Sequence, residues 1–228
     1  MYILSILFVL ITNPWTWELL SFDLFLFLLT VCSSILLFLS FLRSSKKILF
    51  LFCLILIPIL VIQWKTTPNN NLTYINATDE QLLNIRRSEI PLLRLNLLDQ
   101  PLVFNPGRYI INKPDYIFYK FQQNILRSID LNLYFFGNHP REIPGHREFD
   151  KFSFLFLPFF ILGVITGLKS HRLQISISFL IPLAPLTLIG QNNPVGPFVL
   201  FPFFAATITI GLFHVAKEVL MKLKIRTN

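Results

Sequence analysis

The chain has 228 residues, twenty Lys and Arg against twelve Asp and Glu, and a formal net charge of +8. Apolar residues make up 54% and mean hydropathy is +0.61, which argues against an ordinary water-soluble domain, whose core must be covered by charged surface. The positive balance is not a nucleic-acid signal: by segment, +8 belongs to basic clusters flanking apolar runs, +2 to one polar insert and −2 to Glu18 and Asp23.

Tyr2 to Thr12 is apolar for eleven residues. Without a basic n-region or an A-x-A-like cleavage site it reads as a short span reaching Trp17 rather than a removable signal. Leu19 to Leu42 is interrupted only by Asp23, small Ser and Thr residues and one Cys; at about 1.5 Å per residue it outspans a hydrocarbon core of about 30 Å. Ile48 to Trp64 follows, then an 88-residue polar insert, Lys65 to Phe152, with eleven of the Lys and Arg and nine of the Asp and Glu. Phe152 to Leu168, Leu173 to Gly190 and Pro197 to Val215 are the remaining apolar runs. The predicted fold is an all-α integral membrane protein of about six transmembrane helices, five long enough to read directly, with one mostly helical extracytoplasmic insert. Its parts are an N-terminal membrane segment (1–64), the insert (65–151), a C-terminal membrane segment (152–215) and a tail (216–228).

Basic residues in short loops stay on the cytoplasmic side. Arg43, Lys46 and Lys47 place the first basic turn there, Lys169 and Arg172 the second, and Lys217, Lys222, Lys224 and Arg226 the C-terminus. Asn13 to Ser21 and Gln191 to Gly196 carry no Lys or Arg, so these connections and the insert are predicted outside, with Trp15, Trp17 and Trp64 at the outer interface. Cys32 and Cys53 fall at depths about 7 Å apart on helical rise, too far for a ready disulfide. Five Ala against 25 Phe fits an AT-rich genome and the plasma membrane of a bacterium.

Within the insert, Lys65 to Thr73 reads as a tether, and Asn71 and Asn76 open N-x-T sequons. Thr78 to Gln81 is a capping box before a helix over Asp79 to Ser88, stopped by Pro91. Asn105-Pro-Gly107 is a tight turn. Pro114 opens a second helix with Ile117, Phe118, Phe121, Ile125 and Ile129 on one face and Lys120, Gln123, Asn124 and Arg127 away from it. That pattern suits packing on a small domain and lying along the outer leaflet equally. Asp130 to Phe136 alternates as an extended segment does.

The densest chemistry lies in Asn138 to Glu148, where His139, Arg141 and Glu142 are nearly echoed by His146, Arg147 and Glu148. Imidazoles and carboxylates trade protons or bind metals, and guanidiniums bind phosphate bidentately. Pro140, Pro144 and Gly145 prevent the shared helical face of a zinc motif, so no metal, cofactor or catalytic residue is assigned. The six residues are ligand-binding candidates for an anionic headgroup or lipid phosphate, set against a solvated loop whose charges pair with one another.

The spans hold almost no ionisable group at depth, which counts against a pump or ion-coupled transporter. Gly163 and Gly167 form a G-x-x-x-G pattern for close helix packing. Pro182, Pro185, Pro197 and Pro202 should kink or break the last two spans beside Gln191 to Gly196 and line a cavity there.

The run Tyr134-Phe-Phe-Gly137, a polar loop and then Phe152-Ser-Phe-Leu-Phe-Leu-Pro-Phe-Phe-Ile-Leu-Gly163 resembles GT-C membrane glycosyltransferases of the protein mannosyltransferase-like group, over roughly Pro114 to Leu168. It also resembles multi-pass membrane proteins of candidate-phylum bacteria. The glycosyltransferase resemblance implies a polyprenyl-phosphate sugar and an acidic catalytic residue in a substantial first outer loop. Here that loop is short, with Glu18 inside it and Asp23 just beyond, and no catalytic residue is carried over. The leading expectation is a non-enzymatic envelope-assembly protein that binds membrane lipid, a lipid-linked sugar or a membrane-protein partner. A reduced or split glycosyltransferase is the alternative, and a transporter or channel subunit the third reading. No nucleic-acid partner is expected.

Overall fold

The computed structural model describes residues 2–67, 72, 80–81, 83–85, 93–97, 100–104, 113–136, 149, 151–190 and 193–226. Helices α1 (Tyr2–Thr12) and α2 (Pro14–Phe22) meet at Asn13 with a 71° bend. Pro14 suits the first turn of a new helix because no partner exists there for a missing N–H, and the Asn13 side chain caps that turn by accepting the Trp15 amide at 3.1 Å. The short span expected from Tyr2 to Trp17 is therefore two differently directed pieces.

The span expected from Leu19 is also broken. The Asp23 carboxylate accepts the Phe25 and Leu26 amides at 2.7 and 3.1 Å, so α3 (Leu24–Arg43) starts only after it. A carboxylate is stabilised by the bare amides of a helix N-terminus, which outweighs the apolar continuity around it. Ser44, with φ at 47°, ends α3, and Ser45 caps α4 (Lys46–Thr66).

The insert departs from an all-α reading. Residues 80–81 and 83–85 are helical, within the helix expected after Thr78. Strands β1 (Leu93–Leu97) and β2 (Gln100–Phe104) pair antiparallel, with Leu97 opposite Gln100. Leu93, Leu95 and Leu97 alternate with Arg94 and Asn96, a period-2 pattern that carries this hairpin. Helix α5 (Lys113–Ile129) forms as expected. Asp130 to Phe136, expected to be extended, instead holds the one-turn helix α6 (Asn132–Phe135). Asp130 initiates it: its side chain accepts the Asn132 amide at 3.0 Å and its carbonyl the Leu133 amide at 3.1 Å, a local bonding pattern that competes with extended backbone.

A 3₁₀ turn (Phe154–Phe156) leads into α7 (Leu157–Ser170), followed by α8 (Arg172–Ile189), a second 3₁₀ turn (Phe198–Leu200) and α9 (Phe201–Arg226). Among the described residues, four helical stretches are long and apolar enough to cross a membrane: α3, α4, α8 and Phe198–Leu220. The bent α1–α2 pair, taken as one span, makes a fifth. The six-span expectation differs because Phe154–Ser170 is a shorter apolar helix, about 25 Å on helical rise against a core of about 30 Å. The chain is a multi-pass membrane protein.

Helix α9 is the centre of the bundle: its span is 78% buried, against 28% for peripheral α4. The α7–α9 contact is a reciprocal glycine approach. A Cβ at Gly163 would overlap the Thr207 carbonyl, and one at Gly211 the Phe159 carbonyl. Close backbone approach replaces the hydrophobic drive that lipid cannot supply between helices. Gly167 meets the Ile175 side chain of α8 instead. The buried Thr207 and Thr209 hydroxyls donate to the Phe203 and Ala205 carbonyls of their own helix at 2.6 and 2.7 Å, so they remain satisfied without water. α1 packs on α9 and buries Ile6, Val9 and Leu10.

At the end away from the insert, Ser44 Oγ lies 3.2 Å from His171 Nδ1 and the Phe41 ring meets the imidazole edge at 5.9 Å. These contacts bring the turn carrying Arg43, Lys46 and Lys47 beside the turn carrying Lys169 and Arg172. Burial lowers the His171 pKa, so the fold favours the neutral ring.

Gly163→Val or Gly211→Val should lower thermal stability in detergent by about 1–3 kcal/mol or more, the cost of overpacking a close contact; unchanged melting would contradict this helix approach. Because the folded His171 pKa is depressed, its contribution is present above its unfolded value of about 6.5 and lost as pH falls below it. Melting curves from pH 8 to 5 should therefore drop more for the native chain than for His171→Gln.

Candidate functional site

The end of the bundle that carries the insert is organised around Trp15, which is fully buried. Asn13 and Pro14 turn the chain so that this indole points inward, and its Nε1–H donates to the Val195 carbonyl at 2.7 Å. Its amide donates to the Lys151 carbonyl at 3.3 Å. Around the ring stand Tyr134, Phe152 and Phe201, with centroids at 6.0, 5.7 and 5.2 Å. Tyr134 stacks on Phe204 at 4.0 Å and Phe160 on Phe204 at 4.8 Å. The two consecutive aromatics of α6, Tyr134 and Phe135, are thus both inside the membrane bundle. Helix geometry permits this where an extended strand would send one of them out.

The Tyr134 hydroxyl donates to the Ser128 carbonyl at 2.8 Å, tying α6 back to α5. Burial, and secondarily the charge of Asp130, push this phenol well above its ordinary pKa of 10, so it stays protonated and acts as a structural donor. Lys151, 6% exposed, donates to the Leu133 carbonyl at 3.1 Å while its stem crosses Gly196 so closely that a Cβ there would overlap it. Gly196 also has φ at +80°, a second reason for glycine.

Beside this aromatic core lies a polar layer. Gln63 Nε2 donates to the Thr67 hydroxyl and the Gly196 carbonyl, both at 3.4 Å; Asn193 Nδ2 donates to the Thr66 hydroxyl at 2.6 Å and its Oδ1 accepts the Val195 amide at 3.0 Å. The Gln63 Oε1 is buried with no partner. This layer locks the end of α4 to the loop before α9.

α5 docks on α8 through a residue expected on its polar face. Asn124 Nδ2 donates to the Thr187 carbonyl at 3.0 Å. Thr187 lies in the last turn of α8, where carbonyls lack intrahelical donors, and this unmet acceptor is what draws Asn124 inward. Phe118 and Ile129, on the face predicted to be apolar, are 60% and 42% exposed, and Leu126 is 58% exposed.

Between α4 and α8 runs an open cavity of about 560 Å³, within the range of about 300–1,000 Å³ typical of small-molecule sites. Ile57, Leu60, Val61, Trp64 and Lys65 line it from α4; Ala184, Pro185 and Leu188 line it from α8. Pro58 in α4 and Pro182 and Pro185 in α8 each remove a backbone donor and disturb regular helix contact. The walls are apolar, and among the described residues Lys65 is the one charged lining residue. Among the described residues no carboxylate pairs with it.

The predicted ligand residues His139, Arg141, Glu142, His146, Arg147 and Glu148 lie outside the described residues, as do the Asn105-Pro-Gly107 turn and both sequon asparagines. Gly163 and Gly167 sit inside the bundle, against α9 and α8. No group of three or more His, Cys, Asp or Glu able to hold a metal occurs among the described residues. Sequence reasoning placed Trp15 at the outer interface and Lys65 in a tether, and gave Lys151 no role. The prolines on two spans were the available signal for the groove; nothing in the sequence marks Lys151.

Trp15→Ala should destabilise the detergent-solubilised protein by about 3–5 kcal/mol, and Tyr134→Phe by about 0.5–1.5 kcal/mol through loss of the hydroxyl's hydrogen bond to the Ser128 carbonyl. Chemical unfolding monitored by circular dichroism measures both, and a neutral Trp15→Ala would contradict its central place. No family model, no curated protein and no solved structure matches this chain.

Proposed function

We propose that this is a non-enzymatic membrane protein of a bacterial envelope whose insert forms a lipid-contacting cap on the outer face. The observation that carries this reading is the two-sided α5: Asn124 holds one side to α8, while Phe118, Leu126 and Ile129 are exposed on the other. In water this stripe would be a costly apolar patch; along an outer leaflet, lipid solvates it. Exposed Leu131 and Phe136 extend it past the helix, and exposed Trp17 and Trp64 occur in the segments at the same end, as aromatic residues do at membrane interfaces.

The orientation follows the basic residues. The joined turns of Arg43, Lys46, Lys47, Lys169 and Arg172 and the end of α9 lie in the cytoplasm, and residues 65–151 lie outside. α3, α4, α8 and α9 cross fully, Phe154–Ser170 crosses with local thinning, and α2 runs along the outer boundary after α1 has entered the membrane. The cap then serves envelope assembly by engaging lipid or a membrane partner.

The test is a spin label at Leu126→Cys in a Cys32→Ser, Cys53→Ser background, reconstituted in liposomes. Collision with oxygen should exceed collision with a water-soluble nickel chelate, as for a site within lipid. Greater accessibility to the chelate would contradict the outer-leaflet cap. Sugar transfer from a polyprenyl-phosphate donor by the purified chain would replace this reading with the glycosyltransferase alternative.

A further inference from the structure

We infer that the α4–α8 groove binds one acyl chain of a membrane phospholipid whose anionic headgroup is held by Lys65. The inference rests on the lipid-binding reading above and names the ligand class of a second surface. From Ile57 to Lys65 the groove follows α4 for about 12 Å on helical rise, less than half a hydrocarbon core of about 30 Å. It therefore lies within one leaflet, and Lys65 marks its polar end. Leu54, Ile57 and Val61 on α4 and Leu180, Ile181 and Leu188 on α8 are exposed, so the groove is continuous with apolar surface that lipid already covers.

The chemistry selects the occupant. The apolar wall offers a lipid chain dispersion contacts but no pattern of donors or acceptors with which to recognise a polar molecule. Pro185 presents a ring on that wall and contributes no N–H. At the mouth, Lys65 is exposed and unpaired among the described residues, while Trp64 supplies the amphipathic ring common at headgroup depth. A zwitterionic lipid offers the same chain but no net charge; an anionic one adds the attraction of one lysine at a lipid surface, equivalent to about fivefold in affinity.

Trp64 lines the groove and reports on it. In phosphatidylcholine liposomes, the full chain carrying Trp17→Phe is titrated with phosphatidylglycerol or phosphatidylcholine bearing brominated acyl chains, and tryptophan quenching is measured. Brominated phosphatidylglycerol should quench about fivefold more effectively than brominated phosphatidylcholine. Lys65→Gln should make the two equal, and Ala184→Phe, which fills the groove from an exposed position on α8, should reduce quenching by both. Circular dichroism and the elution volume of each variant establish that it remains folded. Equal quenching by the two lipids before either change, or a preference retained in Lys65→Gln, would overturn the proposal. Loss of the preference on adding inorganic phosphate would assign Lys65 to free phosphate and also overturn it. Oxygen accessibility of the label at position 126 is unchanged by Lys65→Gln if the cap reading holds, so failure of one proposal is separable from failure of the other.

Discussion

The hydrogen bond from the Trp15 indole to the Val195 carbonyl, enclosed by Tyr134, Phe152 and Phe201, is the contact on which the arrangement of this protein depends. Four parts of the chain far apart in sequence meet there: the start of α2, the end of the insert, the entry to α7 and the loop before α9. Where water is excluded, a polar group needs a partner in the protein. The indole N–H therefore selects one carbonyl, whereas apolar packing alone accepts many arrangements. Aromatic pairs at these separations add about 0.5–1.5 kcal/mol each beyond their burial. Tyr134 and Phe135 thereby make the insert part of the membrane bundle's core.

Below this junction the bundle is held by a different force. Gly163 and Gly211 bring α7 and α9 close enough that a side chain on either would strike the opposite backbone. That proximity makes α9 the axis of the bundle. α4 packs along α3 and buries Leu49, Phe52, Leu56 and Ile59, and Gln63 and Asn193 fix its end near the insert. Between α4 and α8 a groove remains, with Pro185 on its wall.

The surfaces that remain have a shared character. The free side of α5, the α4–α8 groove and the outward faces of the spans are apolar, with cations at their borders and no assembled set of catalytic side chains among the described residues. Such surfaces offer dispersion and net charge rather than directed hydrogen bonds. They suit an amphiphile or a membrane partner better than a polar small molecule.

The membrane character, the basic turns, the long polar insert and the existence of α5 were legible in the sequence, because hydropathy and charge act locally and each leaves a residue-level mark. The hairpin of Leu93–Leu97 and Gln100–Phe104 went unread, because its short leucine alternation sits in an insert that reads as mostly helical. Other features depended on partners remote in the chain. Asn124 looks like a solvent-facing residue until the unmet Thr187 carbonyl turns it inward, and Asp23 looks like a blemish in one long span until it caps a new helix. Trp15 looks like an interfacial ring until it finds Val195. The sequence by itself determined that this chain lives in a membrane and where its charge lies, since transfer into lipid is decided residue by residue. Only the tertiary structure decided which buried polar group met which acceptor, how α6 entered the bundle and where a groove remained, because those depend on pairings across the whole chain.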